Sequence, residues 1–125
     1  MDELKTPIIF IRMADLQLRQ KPHVWQPPTD LFETEAGYTV RIEIAGMKEE
    51  DFSIQYNHDT LVIAGQRPQL NDKCAYHRME IPVGEFLSQV ELPHDIDIQA
   101  ATAEYERGFL TIKLPRKKPV SIKIK

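Results

Sequence analysis

The sequence predicts an all-β protein, an antiparallel β-sandwich of about eight strands. Short runs alternate apolar and polar residues with a period of two, which is the pattern of strands with one buried face. Turn-forming residues separate these runs roughly every eight to twelve positions, and no long segment shows the helical period. A chain of 125 residues is also long enough to bury one core without disulfide bonds.

The first half of the sandwich is predicted from residue 30 onward. The segment DLFETEAGYTVRIEIAG indicates two strands joined by a turn at residues 35–37. After a polar connection, MKEED, which can form one helical turn, DFSIQYN indicates a third strand. A tight turn at His58 and Asp59 leads into the fourth strand, TLVIAGQR.

The second half begins with a polar loop, PQLNDKCA, at residues 68–75. YHRMEI, residues 76–81, is a possible short strand, and EFLSQVELP is a longer one that ends at Pro93. The stretch AATAEYERGFLTIKLP predicts a hairpin that turns at Arg107 and Gly108. Gly108 suits the positive φ angle that a tight hairpin turn requires.

Both ends of the chain differ from this sandwich. Residues 1–28 form a predicted mobile arm that ends in a proline-rich hinge, with an ordinary first strand packed on the core as the alternative. Its apolar side chains are Ile8, Ile9, Phe10, Ile11, Leu16 and Leu18. At the other end, PVSIKIK again alternates with a period of two, so Val120, Ile122 and Ile124 share one face. Such a strand can join a sheet edge of another chain, which predicts an oligomer held by exchanged segments.

Composition and motifs point away from several functions. The formal net charge of −3 gives no general attraction to nucleic acid, and no apolar segment is long enough to span a membrane. A single cysteine, Cys74, and the absence of a signal peptide predict a cytoplasmic protein. The four histidines are scattered and no catalytic, nucleotide or metal motif occurs, so we expect no enzyme, no cofactor and no metal site.

The chain resembles the small heat-shock proteins, which are built around an immunoglobulin-like β-sandwich called the α-crystallin domain. The stretch AEYERGFLTIKLP follows the family pattern Ala-x-x-x-Asn-Gly-Val-Leu, with Arg107 in the Asn place and Phe109 in the Val place. IEIAGMKEEDF follows a second family pattern, with Ala45 in place of proline. The resemblance covers about residues 28–125, and it divides the chain into an arm (1–28), the domain (29–115) and a tail (116–125).

The chain also departs from the family at positions of charged residues. The family's Phe-x-Arg-x-Phe segment reads FLSQV here, so Ser88 stands in the place of the arginine. A second family arginine, expected before the glycine, is also missing, because Glu80 is followed by Ile81. The arginine pairs of family dimers are therefore in doubt, and apolar contacts from Met79 and Ile81 are expected instead.

The resemblance implies an ATP-independent holdase chaperone that binds unfolding client proteins and passes them to ATP-dependent refolding chaperones. It implies a dimer made by a swapped strand, with Tyr76, His77, Arg78, Met79, Glu80 and Ile81 in that role. It also implies that the tail residues Val120, Ile122 and Ile124 enter a groove, which clients can share. The groove would be lined by Phe52, Ile54, Tyr56, Ala101, Ala103 and Tyr105, and the apolar arm would also bind clients.

Alternatives stay open for the groove, the loop, the tail and the function. Ordinary sandwich core is the competing role for the groove residues, and an ordinary hairpin loop is the competing role for residues 68–84. The tail can insert with Val120 and Ile122 or with Ile122 and Ile124, into its own chain or into a neighbour. The competing function is a monomeric or dimeric co-chaperone-type adaptor module with the same fold.

Overall fold

The computed structural model describes residues 9–10, 23–69 and 73–125 of the chain. The described residues form eight strands and two short 3₁₀ turns, at Glu49–Asp51 and Ile98–Ala100. The strands are β1 (Ile9–Phe10), β2 (Thr29–Thr34), β3 (Gly37–Glu43), β4 (Phe52–Asn57), β5 (Thr60–Arg67), β6 (Gly84–Glu91), β7 (Thr102–Glu106) and β8 (Phe109–Pro115).

The strands make two four-stranded sheets, in the orders β1-β4-β5-β6 and β2-β3-β8-β7. Every neighbouring pair is antiparallel except β1 and β4, which run parallel. The predicted all-β sandwich is therefore confirmed.

One hydrophobic core joins the two sheets, and the period-two runs supply it. Strand β3 contributes Val40 and Ile42, while the facing strand β5 contributes Leu61 and Ile63. The polar residues between them, such as Arg41 and Glu43, are exposed. Alternation along β3 and β8 thus places one face of each strand in the core, whereas β5 is buried on both faces from Leu61 to Ala64.

Two hairpins close with two-residue turns that need positive φ angles. His58 and Asp59, with φ of 49° and 62°, join β4 to β5, and Arg107 and Gly108, with φ of 54° and 83°, join β7 to β8. This geometry is that of a type I′ turn, whose twist matches the twist of the flanking strands. Three of the four residues are not glycine, so they hold a conformation that L-residues adopt at a cost.

Contacts between the sheets show which edges lie together. The Ser88 hydroxyl of β6 is 2.8 Å from the Thr29 hydroxyl of β2. Because Thr29 donates its own proton to the Pro27 carbonyl, Ser88 is the donor in this pair. Ser88 is fully buried, so the position that the resemblance assigns to an arginine is here a satisfied core hydroxyl. Strands β6 and β2 therefore flank one side of the sandwich, and β4 and β7 flank the other.

The possible short strand at residues 76–81 does not form in this single chain, and that prediction is wrong for the isolated protomer. Residues 73–83 carry no strand assignment, and β5 pairs directly with β6 across the base of the loop. A strand needs a partner edge for its backbone groups, and in the described part of the chain residues 76–81 pair with no sheet edge.

Candidate functional site

The residues predicted to line a groove lie on one side of the sandwich, where β4 meets β7. The rings of Phe52 and Tyr105 have centroids 4.9 Å apart, so the two strands touch across the sandwich. The structure brings all six predicted groove residues to this side of the domain, namely Phe52, Ile54 and Tyr56 on β4 with Ala101, Ala103 and Tyr105 on or beside β7.

Half of these groove residues are part of the sandwich core. Phe52, Ile54 and Ala103 are buried members of the hydrophobic cluster, which is the alternative role that the sequence left open. The other three side chains are only half-buried and pack against that cluster. A segment that enters between the strands would therefore meet the half-buried side chains first.

At one end of this row of residues, the Tyr105 hydroxyl is hydrogen-bonded to the segment that follows β3. The hydroxyl donates to the Ile44 carbonyl at 2.8 Å and accepts from the Met47 amide at 3.3 Å. Both hydrogen-bonding functions of the phenol are thus used to hold the connection that follows β3. Tyr105 therefore has a structural role that its position in the sequence pattern did not reveal.

A polar cluster marks the other end of the groove. The Tyr56 hydroxyl donates to Asp59 at 2.7 Å, and the second carboxylate oxygen of Asp59 lies 2.6 Å from His94 Nδ1. Burial, with the Asp59 carboxylate as a second cause, raises the pKa of Tyr56 to about 12. The hydrogen bond from Tyr56 lowers the pKa of Asp59. The cluster holds the β4–β5 turn, and His94 is almost wholly exposed.

The outer edge of β4 already has a neighbour in this chain. β1 pairs with it in parallel, with Ile9 opposite Gln55 and Phe10 opposite Tyr56. The arm thus contains a two-residue strand at Ile9–Phe10. The remaining predicted arm residues, Ile8, Ile11, Leu16 and Leu18, lie outside the described residues.

The loop before β6 exposes a row of apolar side chains. Tyr76, Met79 and Ile81 are between 47% and 72% exposed, although all three are large apolar or aromatic residues. Between them, Arg78 and Glu80 form an exposed ion pair at 3.5 Å. Exposed apolar side chains on an unpaired segment are typical of a surface that another protein covers.

The tail is exposed in the same way, beyond a well-anchored start. Val120, Ile122 and Ile124 are between 89% and 99% exposed, and residues 117–125 carry no strand assignment. Arg116 donates to the carbonyls of Thr34 and Glu35, at 3.0 and 2.9 Å. The free part of the tail therefore begins near residue 117, where the Lys117 amide donates to the Asp95 carbonyl at 2.7 Å.

Sequence reasoning missed the edge that is best placed to accept a strand from a second chain. β2 pairs with β3 on one side, and the described residues place no strand on its other side. It exposes Leu31 and Phe32, while the neighbouring edge of β6 is bridged by Trp25. In the sequence, Leu31 and Phe32 of the DLF run are the signal that this strand has an apolar outer surface. The sequence pattern predicts only an ordinary strand of the domain there.

The described residues offer neither a metal site nor a membrane-spanning helix. No group of three His, Cys, Asp or Glu side chains in residues 9–10, 23–69 and 73–125 could hold a metal ion. In the same part of the chain, no helix has the length and apolar character that crossing a membrane requires.

Comparison with known families gives one match over most of the chain. The model of the Hsp20/alpha crystallin family matches residues 30–125. A small heat shock protein C2 of Rickettsia felis is 33% identical over 93 residues, which are 73% of this chain and 60% of that protein. A 22.0 kDa heat shock protein of Arabidopsis thaliana is 28% identical over 128 residues, covering 98% of this chain and 66% of that protein.

Solved structures agree with the sequence matches. Heat shock protein 16.0 from Schizosaccharomyces pombe superposes with a TM-score of 0.69 at 27% identity, covering 83% of this chain and 88% of that one. A small heat-shock protein from Xylella fastidiosa, at 24% identity and a TM-score of 0.70, shares the fold and covers 81% of this chain and 97% of that one. The chain spans about three fifths of the length of the Rickettsia relative.

Proposed function

Because the chain belongs to the Hsp20/alpha crystallin family, we propose that it is an ATP-independent holdase chaperone. In this proposal it works as an oligomer of dimers, and apolar surface that is uncovered when subunits separate binds unfolding proteins and prevents their aggregation. Unfolding clients expose apolar surface, so capture needs matching apolar surface and no nucleotide.

One observation carries this proposal. Of the nine large apolar side chains that are most exposed in the described residues, six lie on only two segments. Those segments are the loop, with Tyr76, Met79 and Ile81, and the tail, with its Val and two Ile residues. The other three, Leu31, Phe32 and Phe109, are the least exposed of the nine. The two segments thus carry most of the exposed large apolar side chains of the described residues, which favours a role in contacts with other molecules.

The loop supplies the dimer contact in this proposal. Residues 75–81 of one chain add as a strand to the free edge of β2 in the second chain, where Leu31 and Phe32 are exposed. Backbone pairing gives the affinity, and the alternating side chains select the partner. The exchange also pairs the backbone of residues 76–81 with a sheet edge, whereas these residues are unpaired with any edge in the described part of the single chain.

The tail supplies the contact between dimers, at the groove beside β4. Burying two isoleucines stabilises the contact by about 3–6 kcal/mol before the ordering of the tail is subtracted. A contact of this strength is reversible singly and firm when it is repeated around an oligomer. Reversibility is what a holdase requires, because its surface has to become free when clients unfold.

The anchored start of the tail limits its reach. Only the residues from 117 to 122 are free to extend, which corresponds to a span of at most about 17 Å. The tail leaves the sandwich beside Asp95, and nearby the Leu92 amide is bonded to the carbonyl of Asp59 in the β4–β5 turn. Its own β4 edge and that of an adjacent dimer are therefore the candidate docking places.

The decisive experiment compares the two faces of the tail. Replacing Ile122 and Ile124 together by Ala should convert the assembly to dimers, as read by native mass spectrometry. Replacing Lys123 and Lys125 by Ala changes the opposite face and should leave the mass distribution unchanged. A third variant, Val120→Ala, separates the two registers, because only the Val120 and Ile122 register loses a buried group.

Function is measured on the same variants by light scattering of a model client heated without ATP. The wild-type protein and the lysine variant should suppress aggregation at the same ratio of chaperone to client. The isoleucine variant should also suppress it, but at a different ratio. A strictly monomeric wild-type protein that leaves the client's aggregation unchanged would show that the holdase proposal is wrong.

A further inference from the structure

Arg67, the last residue of β5, sits at the base of the apolar loop. Its guanidinium carbon lies 4.5 Å from the centroid of the Trp25 ring. Its Nε donates to the Pro82 carbonyl at 2.9 Å, and one terminal nitrogen donates to the same oxygen. The other terminal nitrogen reaches the Ala45 carbonyl at 3.5 Å. One side chain therefore ties the end of the loop to two other segments of the domain.

Trp25 gives this arrangement a rigid base. Its amide donates to the Glu85 carbonyl at 3.1 Å, and its carbonyl accepts from the Leu87 amide at 3.0 Å. Its indole N–H donates to the Gly84 carbonyl at 3.3 Å. Trp25 is thus fixed along the first residues of β6, and the stacked guanidinium of Arg67 is fixed with it.

Pro82 lies between the exposed apolar row, which ends at Ile81, and the start of β6 at Gly84. Arg67 and Gly84 are paired at the base of the loop. This pairing fixes where the chain enters β6, but it does not by itself set the direction of residues 75–81. Pro82 directly follows the apolar row of the loop, so holding its carbonyl sets the direction in which residues 75–81 leave the domain.

We propose that Arg67 is a positioning residue for assembly, which clamps Pro82 against Trp25 and so presents residues 75–81 to a second copy of this chain. The proposal rests on the loop-exchanged dimer of the proposed function. Its physical basis is preorganisation, because a strand that already points at its partner loses less freedom on binding. Lysine cannot replace Arg67, since it lacks the planar group that stacks and donates twice to one carbonyl.

The test uses the full chain with Ile122→Ala and Ile124→Ala, so that dimer formation is measured without larger assemblies. The variant is Arg67→Lys, and the matched control is Arg116→Lys. Arg116 makes chemically similar contacts, lying 5.1 Å from the Tyr38 ring centroid and donating to two carbonyls, but these belong to Thr34 and Glu35 at the end of β2 and not to the loop. Because β2 is the proposed acceptor edge, Arg116→Lys serves as the control only for the chain that supplies the loop. Sedimentation velocity gives the dimer dissociation constant.

A donor and acceptor comparison separates positioning from general damage. A chain with Met79→Asp and Ile81→Asp can accept a loop but cannot donate one. When Arg67→Lys supplies the loop to this chain, it should bind about tenfold more weakly than Arg116→Lys does in the same role, because the loop of Arg67→Lys is no longer preorganised. When Arg67→Lys is itself combined with the two Asp changes, it should accept a wild-type loop with unchanged affinity.

Trp25 gives an independent reading, because it is the single tryptophan of the chain. Acrylamide should quench its fluorescence more strongly in Arg67→Lys than in Arg116→Lys. The clamp would be wrong if the two lysine variants bound equally well when they supply the loop. It would also be wrong if Arg67→Lys lost as much affinity when it accepts a loop as when it supplies one. If the Met79→Asp and Ile81→Asp chain still forms symmetric dimers of wild-type affinity, the loop-exchanged dimer itself is wrong, and the clamp falls with it.

Discussion

At the residue scale, the fold changes the acidity of Tyr56, because it raises the pKa of the phenol. Tyr56 lies half-buried near the end of β4 and donates a hydrogen bond to Asp59. Both its burial and this hydrogen bond favour the neutral phenol over the phenolate. Burial, and after it the hydrogen bond to Asp59, raises the pKa of Tyr56 from the ordinary value of 10.0 to about 12, so the stability that depends on the neutral phenol is fully present below pH 10. That contribution is lost as the pH rises from 10 through 12.

Replacing Asp59 by Asn should therefore lower the pKa of Tyr56 toward 10, though burial will keep it above that value. Absorbance at the phenolate band, with Tyr56→Phe subtracted, measures this one group among the tyrosines. His94→Gln is the control, because it removes the other partner of Asp59 and leaves the Tyr56 hydrogen bond. An unchanged Tyr56 titration in Asp59→Asn would show that burial alone causes the shift.

At the scale of elements, the β7–β8 hairpin carries a cost at Arg107. This residue has φ of 54°, a conformation in which Asn and Gly are favoured over other residues. Its side chain is mostly exposed and makes only a loose ion pair with Glu106, at 3.8 Å. The cost is thus local to the turn and is not offset by a strong contact among the described residues.

Arg107→Asn should stabilise the domain by about 0.5–1 kcal/mol, because Asn adopts the left-handed conformation more easily. Urea unfolding with an unchanged slope would measure this gain. Arg107→Lys is the matched control, since it keeps the charge and the unfavourable backbone preference and should leave the midpoint where it is. A lower stability of the Asn variant would mean that the arginine has a partner outside the single chain.

The same scale shows which elements local sequence can predict. The runs that became β2 to β8 were predictable because the period-two pattern records, within each run, which side chains face the core. Residues 76–81 were also predicted as a possible short strand, but in the described part of the chain they pair with no sheet edge, so their pattern alone did not predict their structure. β1 was not singled out, because IIFI is a continuous apolar run with no period of two.

At the scale of the whole molecule, sequence reasoning brought together the residues predicted to line the groove, but it did not reveal the contacts that hold the loop and the tail. The family pattern placed the β4 and β7 residues on one side, as the structure has them. The anchors were hidden, because Arg67 meets Trp25 and Arg116 meets the β2–β3 turn only after folding. Contacts between residues 42 to 82 positions apart leave no local pattern.

Two segments of this chain compete for one edge if the proposed function holds. β1 pairs with the outer edge of β4, and the tail is proposed to dock in the groove along the same strand. A strand of only two residues adds few hydrogen bonds, each worth about 0.5–1.5 kcal/mol, so it can be displaced. The occupied edge would then keep the groove covered in free subunits.

Removing β1 should therefore strengthen assembly through the tail. Ile9→Pro with Phe10→Pro removes the backbone donors of β1, so the tail no longer has to displace it. We expect the midpoint concentration for assembly beyond the dimer to fall by up to about tenfold, measured by mass photometry or light scattering over a dilution series. In the Ile122→Ala and Ile124→Ala background the same proline changes should have no effect, since no tail can use the vacated edge. Weaker assembly of the proline variant with an intact tail would contradict the competition and would make β1 a supporting strand for the oligomer instead.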